Sequence, residues 1–478
     1  MSDRLLNHTT GLCARCKRSL PAEVWVEDGQ VVLRKTCPTH GAQSVLIAAN
    51  AEWYEATVAE GAVASPPRGS LAPVTLGCPL DCGPCTQHQQ RLHLPVVPIT
   101  SACNLDCPIC YTHNRNDGAW HLGDAELRAV LHHLRTRAPE GRIINLTGGE
   151  PTMHPRFVEL LKLCREEGIH RVTISTHGMR FLHDDALLDG IRAVEGRVIL
   201  SFDSFEQSAN VAMLGGRFLE PKLKVLDRLE AWGIDTTLLP VLARGQNDHE
   251  LGRFIAEALR RDFIRSVEFH PMTFTGQSGA DFDRSARYDP YSVLCDLQEQ
   301  TDGLLRVEDF VPAPVAHPLC YQVAYLLRLD ADRWLPFTRF LTRAELRHLL
   351  RHGLYLEPGR ETDDALQHAI TRLWTGETVC PEADEVMAAL KRLTTEMAAA
   401  GPEQLRVAER HTKAIYLHTH MDEETFDTDR IQLCCVGMPE ADGRSVPSCA
   451  YNVIYRSRDE RFVEVPEPSL VQIGPGRR

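Results

Sequence analysis

Cys103-Asn-Leu-Asp-Cys107-Pro-Ile-Cys110 places three thiols at C-x3-C-x2-C spacing in one short stretch. Three thiolates from a single loop can hold three irons of a 4Fe–4S cubane and leave the fourth iron open to another ligand. A structural zinc or an ordinary ferredoxin loop would need a fourth cysteine close by, and none follows Cys110 before Cys164. Cys78-Pro-Leu-Asp-Cys82-Gly-Pro-Cys85 repeats the spacing, with His88 three residues on. It reads as an auxiliary 4Fe–4S site with His88 or a distant cysteine as fourth ligand, or as a zinc knuckle. Cys13-x2-Cys16 and Cys37-x2-His40 supply four ligands for one tetrahedral ion, zinc or a rubredoxin-type iron. Cys434, Cys435 and Cys449, with Cys320 as a distant partner, suggest a second auxiliary cluster. For that, their sulfurs must gather within roughly 6–7 Å, the span of a cubane's ligands, facing the same cavity as Cys103. Cys164, Cys295 and Cys380 read as isolated thiols.

These ligands need a frame. From residue 94, β-rich segments (94–100, 142–147, 171–175, 197–202, 235–241, 265–269) alternate with helical ones (124–137, 155–167, 184–193, 220–233, 248–262). Asp124 is placed to cap the first helix. Six such repeats predict a parallel sheet with right-handed crossovers, whose functional residues gather at the C-terminal strand ends. The expected fold class is α/β: a partial (β/α)6 barrel with a small N-terminal rubredoxin-like knuckle and a C-terminal iron–sulfur domain. The expected boundaries are 1–57 for the knuckle, 58–93 for a linker and auxiliary-cluster segment, 94–289 for the barrel, and 290–478 for a mostly helical region. The 478 residues are 43% hydrophobic and 24% charged, the range of a globular chain. A net charge of −13 is a poor match for phosphate contacts, so no nucleic-acid partner is expected. No apolar run approaches the ~18 residues of a membrane span, and the N-terminal residues lack a signal-peptide pattern. The expected location is the cytoplasm, where these cysteines serve metals rather than disulfides.

Polar and glycine-rich motifs recur at the expected strand ends: Thr147-Gly148-Gly149-Glu150-Pro151, Ser175-Thr176-His177-Gly178, Ser201-Phe202-Asp203, then Asn247 and His270. With the cysteine loop and the aromatic Tyr111 after it, this order resembles the radical S-adenosylmethionine (radical SAM) superfamily. The resemblance implies that the open iron chelates S-adenosylmethionine and that the Gly148-Gly149-Glu150 backbone meets the methionyl amine. It further implies cofactor contacts from Tyr111, Thr176, Asp203, Asn247 and His270. The whole order, CxxC…CPxHG, CPxDCGxC, radical loop and terminal CC…C, resembles a subfamily containing class D radical methyltransferases and tetraether synthase. Val315 stands where relatives often carry cysteine, and His270 and Gln277 where Gln and Arg are expected.

This resemblance implies an enzyme that makes a 5′-deoxyadenosyl radical and abstracts hydrogen from an unactivated carbon. Methylation or C–C bond formation on a small or lipid-like substrate is the expected outcome, and a flavodoxin or ferredoxin the expected one-electron donor. The alternatives are a radical dehydrogenase or epimerase, and a non-catalytic iron–sulfur carrier or sensor.

Overall fold

The computed structural model describes residues 3–69, 73–83, 85–137 and 143–464. Arg142, the expected start of the second strand, and the end of the 290–478 region lie outside them. Four antiparallel strands open the chain: β1 (Arg4–Leu12), β2 (Ser19–Glu27), β3 (Gln30–Cys37) and β4 (Gly41–Ala48), paired in sequence order. Period-two alternation buries Val31, Leu33 and Cys37 of β3 with Ala22, Val24 and Val26 of β2. A helix (Ala51–Ala59), capped by Asn50 on the Trp53 amide at 2.9 Å, packs Ala51 and Tyr54 onto this core.

The central sheet follows the expected frame. β5 (Leu94–Pro98), β6 (Ile143–Thr147), β7 (Arg171–Thr176), β8 (Arg197–Ser201), β9 (Thr236–Leu239), β10 (Val241–Leu242) and β11 (Ile264–Pro271) are joined by helices, including Asp124–Arg137, Phe157–Glu166, Asp185–Ala193, Leu219–Trp232 and Leu251–Arg260. β5, β6, β7, β8, β9 and β11 lie side by side and parallel. Pro240 divides the expected fifth strand into β9 and β10, because proline has no amide to give a ladder. Leu251, Phe254, Ile255 and Ala258 show how each helix docks: an i, i+3, i+4, i+7 stripe faces the sheet. Asp124 is not the expected cap. It sits in the first turn, paired with Arg156 at 2.8 Å, while Glu126 accepts the Gly123 amide.

The region after 290 holds more helix than strand (Pro290–Gln300, Arg360–Thr375 and Ala383–Ala400 among its helices), together with strands the sequence did not announce: β12 (Val311–Pro312), β13 (Tyr321–Arg328), β14 (Trp334–Pro336), β15 (Thr412–His418), β16 (Val436–Pro439) and β17 (Ser445–Pro447). β15 adds parallel to β11 and β13 antiparallel to β15; at the other edge β16 adds parallel to β5. β13 and β15 are buried on both faces, so they lack the alternation that marks a half-buried strand. Among the described residues the sheet runs open from β12 to β17, so the barrel is partial.

Candidate active site and cysteine centres

A cavity of about 270 Å³ opens at the C-terminal ends of the central strands. The segment after β5 forms its first wall and bears Cys103, Cys107 and Cys110. Asn114 Nδ2 donates to the Ser101 carbonyl at 2.9 Å and His177 Nε2–H to Asn104 Oδ1 at 2.8 Å, tying both ends of this loop to the frame. Burial pushes the Cys103 and Cys107 thiols up to about 12. They become thiolates only with a cation to hold, which suits a cluster-binding loop.

The Gly148-Gly149 turn grips that loop directly. The Gly149 amide donates to the Thr100 carbonyl at 2.9 Å and the Glu150 amide to the Ala102 carbonyl at 2.7 Å. Gly148 has φ of +153°, and a Cβ on Gly149 would stand 2.4 Å from the Ala102 oxygen, so neither position admits a side chain. The Glu150 carboxylate faces protein, not open space. It accepts from the Thr152 amide (3.1 Å) and hydroxyl (2.6 Å), the Thr176 hydroxyl (2.6 Å) and the His177 amide (3.0 Å). Glu150 therefore bolts the end of β6 to the end of β7.

Tyr111, Gly148, Gly149, Glu150, Thr176, Asp203 and His270 all border the cavity. Asn247 does not, which corrects its expected cofactor contact. Its Nδ2 donates to the carbonyls of Asp203 (2.5 Å) and Val241 (2.8 Å), and its Oδ1 accepts the Ala243 amide (2.8 Å). With every polar atom used by backbone, Asn247 positions the loop bearing Asp203. Burial pushes the Asp203 carboxyl up, opposed by Lys222. Lys222 itself is buried, lowered by burial and raised by Asp203, and donates to the Ser201 carbonyl.

Sequence reasoning missed Lys222, Arg456, His418 and His420, all on the cavity wall. Arg456 is 1% exposed; its Nε donates to the His113 carbonyl at 2.6 Å while Nη2 has no hydrogen-bond partner. His418-Thr-His420 at the end of β15 was the one available signal, since alternate residues at a strand end share a face. His270 Nε2 and His418 Nδ1 both bond Glu268 Oε1, at 2.9 and 3.2 Å. Burial would raise the Glu268 carboxyl, yet these bonds hold it well below the usual range.

The N-terminal group is tightly gathered. Cys13 Sγ and Cys37 Sγ lie 3.4 and 3.5 Å from His40 Nδ1, and Cys16 Sγ 3.9 Å from Cys37 Sγ. Burial opposes charge on Cys13, but the Cys16 amide, the Gln43 side chain and the Arg15 amide hold its thiol down to about 5. A sulfur poised as thiolate and four donors within 4.8 Å of one another fit a tetrahedral metal ion. Cys320, Cys434, Cys435 and Cys449 border one small pocket together with the buried Arg430, whose Nη2 lies 3.5 Å from Cys320 Sγ. This pocket shares the wall formed by Tyr321, His418 and His420 with the main cavity, behind which the four cysteines lie. Cys78 and Cys82 pack beside Tyr455, whose hydroxyl accepts the Cys82 amide at 3.4 Å. His88 bonds through Nε2 to the Cys434 carbonyl at 3.0 Å. That bond ties the segment after Cys85 to the fourth cysteine group and leaves Nδ1 as the nitrogen open to a ligand's role beside Cys85.

Residues 97–258 match the Radical SAM superfamily and residues 5–49 the HMPTM N-terminal zinc ribbon domain. The chain is 26% identical to the 7,8-dihydro-6-hydroxymethylpterin dimethyltransferase of Methanocaldococcus jannaschii, over 96% of each chain. It is 27% identical to a GTP 3′,8-cyclase of Haemophilus influenzae, over 33% of this chain and 47% of that one. Among solved structures it is similar to the FeFe-hydrogenase maturase HydG of Carboxydothermus hydrogenoformans, at 14% identity and a TM-score of 0.38, covering 68% of this chain and 82% of that one. No helix among the described residues is long and apolar enough to cross a membrane.

Proposed function

Because the chain is an enzyme of the radical SAM class, we propose that it forms a carbon–carbon bond, most simply by methylation, on an unactivated carbon of a small pterin-like heterocycle. The observation that carries this reading is that one cavity unites the cysteine loop, the Gly148-Gly149 turn, Asp203 and Lys222 with the polar side chains of Glu268 and His270. When bound, a 4Fe–4S cluster on Cys103, Cys107 and Cys110 and S-adenosylmethionine supply a 5′-deoxyadenosyl radical that removes hydrogen from such a carbon.

This chain's residues do the rest. The Gly149 and Glu150 amides are spent on the cysteine loop and its approach, so the turn offers carbonyl oxygens to the methionyl amine. Lys222, buried beside Ser201, places a cation for the methionyl carboxylate, and Asp203 an acceptor for ribose hydroxyls. The polar side chains of Glu268 and His270 on the cavity wall suit a heteroatom-bearing ring better than an alkyl chain. Cys78–Cys85 and the Cys320, Cys434, Cys435, Cys449 group hold auxiliary clusters, the second balanced by Arg430, and Cys13, Cys16, Cys37 and His40 hold one zinc or iron. A flavodoxin or ferredoxin delivers electrons.

The test is anaerobic turnover of the reconstituted protein with S-adenosylmethionine as radical source, a separate one-carbon donor (a second S-adenosylmethionine or a methylene-carrying pterin), reductant and 6-hydroxymethyl-7,8-dihydropterin, read by mass spectrometry. Methylated pterin with 5′-deoxyadenosine is expected. 5′-Deoxyadenosine without any change in the pterin, but with coupled lipid chains when lipid is supplied, would overturn the substrate assignment.

A further inference from the structure

Three histidines converge on the wall between the main cavity and the fourth cysteine group. His270 ends β11, and His418 and His420 lie at and beyond the end of β15, the parallel neighbour of β11 in which Phe269 is level with Leu417. His270 and His418 are thus side by side, and His420, two residues on, returns to the same side. The ring centroids of His418 and His420 are 4.0 Å apart, those of His270 and His418 4.9 Å, and those of His270 and His420 5.1 Å. One ring nitrogen of each lies within 4.8 Å of the others.

We propose that His270, His418 and His420 bind one divalent transition-metal ion, zinc or ferrous iron, with an open position toward the cavity. Metal–nitrogen bonds of about 2.0–2.1 Å set tetrahedral ligand nitrogens roughly 3.3–3.4 Å apart, so a cluster now within 4.8 Å closes by at most about 1.5 Å. Glu268 supplies the outer shell. Its Oε1 accepts Nε2–H of His270 and Nδ1–H of His418, which fixes both tautomers and leaves His270 Nδ1 and His418 Nε2 with free lone pairs. Lone pairs of adjacent imidazoles repel unless a cation sits among them. The third ring is held too: Tyr111 stacks on His420 with centroids 5.6 Å apart, and His420 Nδ1 lies 3.6 Å from Cys449 Sγ, leaving Nε2 for the metal. Tyr321 stacks on His418 at 3.8 Å. An all-imidazole set suits zinc and ferrous iron over calcium or magnesium. All three rings border the cavity, so the ion would meet a heteroatom of whatever molecule enters it.

The test reads metal, not turnover, so it stands apart from the substrate assignment. The full chain with its clusters reconstituted is dialysed anaerobically against limiting Zn²⁺ and assayed by mass spectrometry for zinc per chain. The wild-type protein should hold one zinc more than H270Q/H418Q, and E268Q should bind that zinc ten- to a hundredfold more weakly, as expected for an outer-shell partner. In a C13S/C16S background, X-ray absorption should show that zinc with nitrogen or oxygen neighbours only. Equal zinc in the wild-type and H270Q/H418Q proteins, or sulfur in that shell, would overturn the proposal. If C13S/C16S fails to fold, the zinc count in the intact background decides alone.

Discussion

Replacing Glu150 by Gln separates two meanings of the Gly-Gly-Glu turn. The carboxylate accepts three donors on one oxygen and the His177 amide on the other. Gln keeps the crowded oxygen best by turning its NH2 toward the His177 amide, which leaves a buried N–H facing a donor. An unsatisfied buried donor costs about 1–3 kcal/mol, and the three remaining bonds drop from charge-assisted to neutral strength, so the total is roughly 3 kcal/mol. For a cooperative unit of roughly 200 residues, that lowers the melting temperature on the order of 6–12 °C. S-Adenosylmethionine, met by backbone, should bind less than about tenfold more weakly, since only the turn's order suffers. Differential scanning fluorimetry of the anaerobic protein gives the first number and calorimetry of the reconstituted protein the second. A melting temperature unchanged within about 1 °C, with affinity down by about a hundredfold, would show that the carboxylate itself binds the cofactor.

Full reconstitution should yield about twelve irons in three cubanes plus one ion at the N-terminal knuckle; iron near four per chain would remove both auxiliary clusters. Changing Cys103, Cys107 and Cys110 together to Ala should remove about four irons and abolish 5′-deoxyadenosine, and retained cleavage would move the radical centre to Cys78–Cys85. Lys222→Met should weaken S-adenosylmethionine about ten- to a hundredfold, the worth of a charge-assisted bond of roughly 1.5–3 kcal/mol, and an unchanged dissociation constant would assign this ammonium to Asp203 alone. Cys449→Ala should stop product formation while cofactor cleavage continues; loss of both together would place Cys449 in the radical site itself.

What could be read in advance was what the chain keeps local. Cys103–Cys110 and the Gly148-Gly149 turn are each a few residues long, and alternating apolar segments from 94 to 269 announce six strands. Contacts made across the sheet were illegible. Lys222 is a lysine on an ordinary amphipathic helix until its ammonium is found at the Ser201 carbonyl. Arg456 looks like one of several basic residues near the end of the described chain. Glu268 reads as an outward residue of a strand, yet it joins histidines from β11 and β15, 150 positions apart along the sequence for His418. Asn247 was singled out by its place after a strand, but place alone does not distinguish a residue that touches a ligand from one that fixes the loop beside it. β13 and β15 were hidden by uniform burial, which erases the period that separates strand from helix.

The pairing of β16 with β5 sets an order of biosynthesis. Leu94 and Pro95 leave the ribosome long before Val436 and Gly437, their partners in the sheet. Until those arrive, the first strand of the barrel is a bare hydrogen-bonding edge, a template for any extended chain nearby. The same late stretch brings Cys434 and Cys435, whose backbone receives the His93 and Leu94 amides at 2.9 and 3.0 Å on the Cys435 carbonyl. Sealing that edge and delivering Cys434 and Cys435 are therefore one event, with Cys449 still to come. A chain cut just before Val436 would lose more than Cys449: it would carry a bare β5 edge, and should aggregate rather than merely stall.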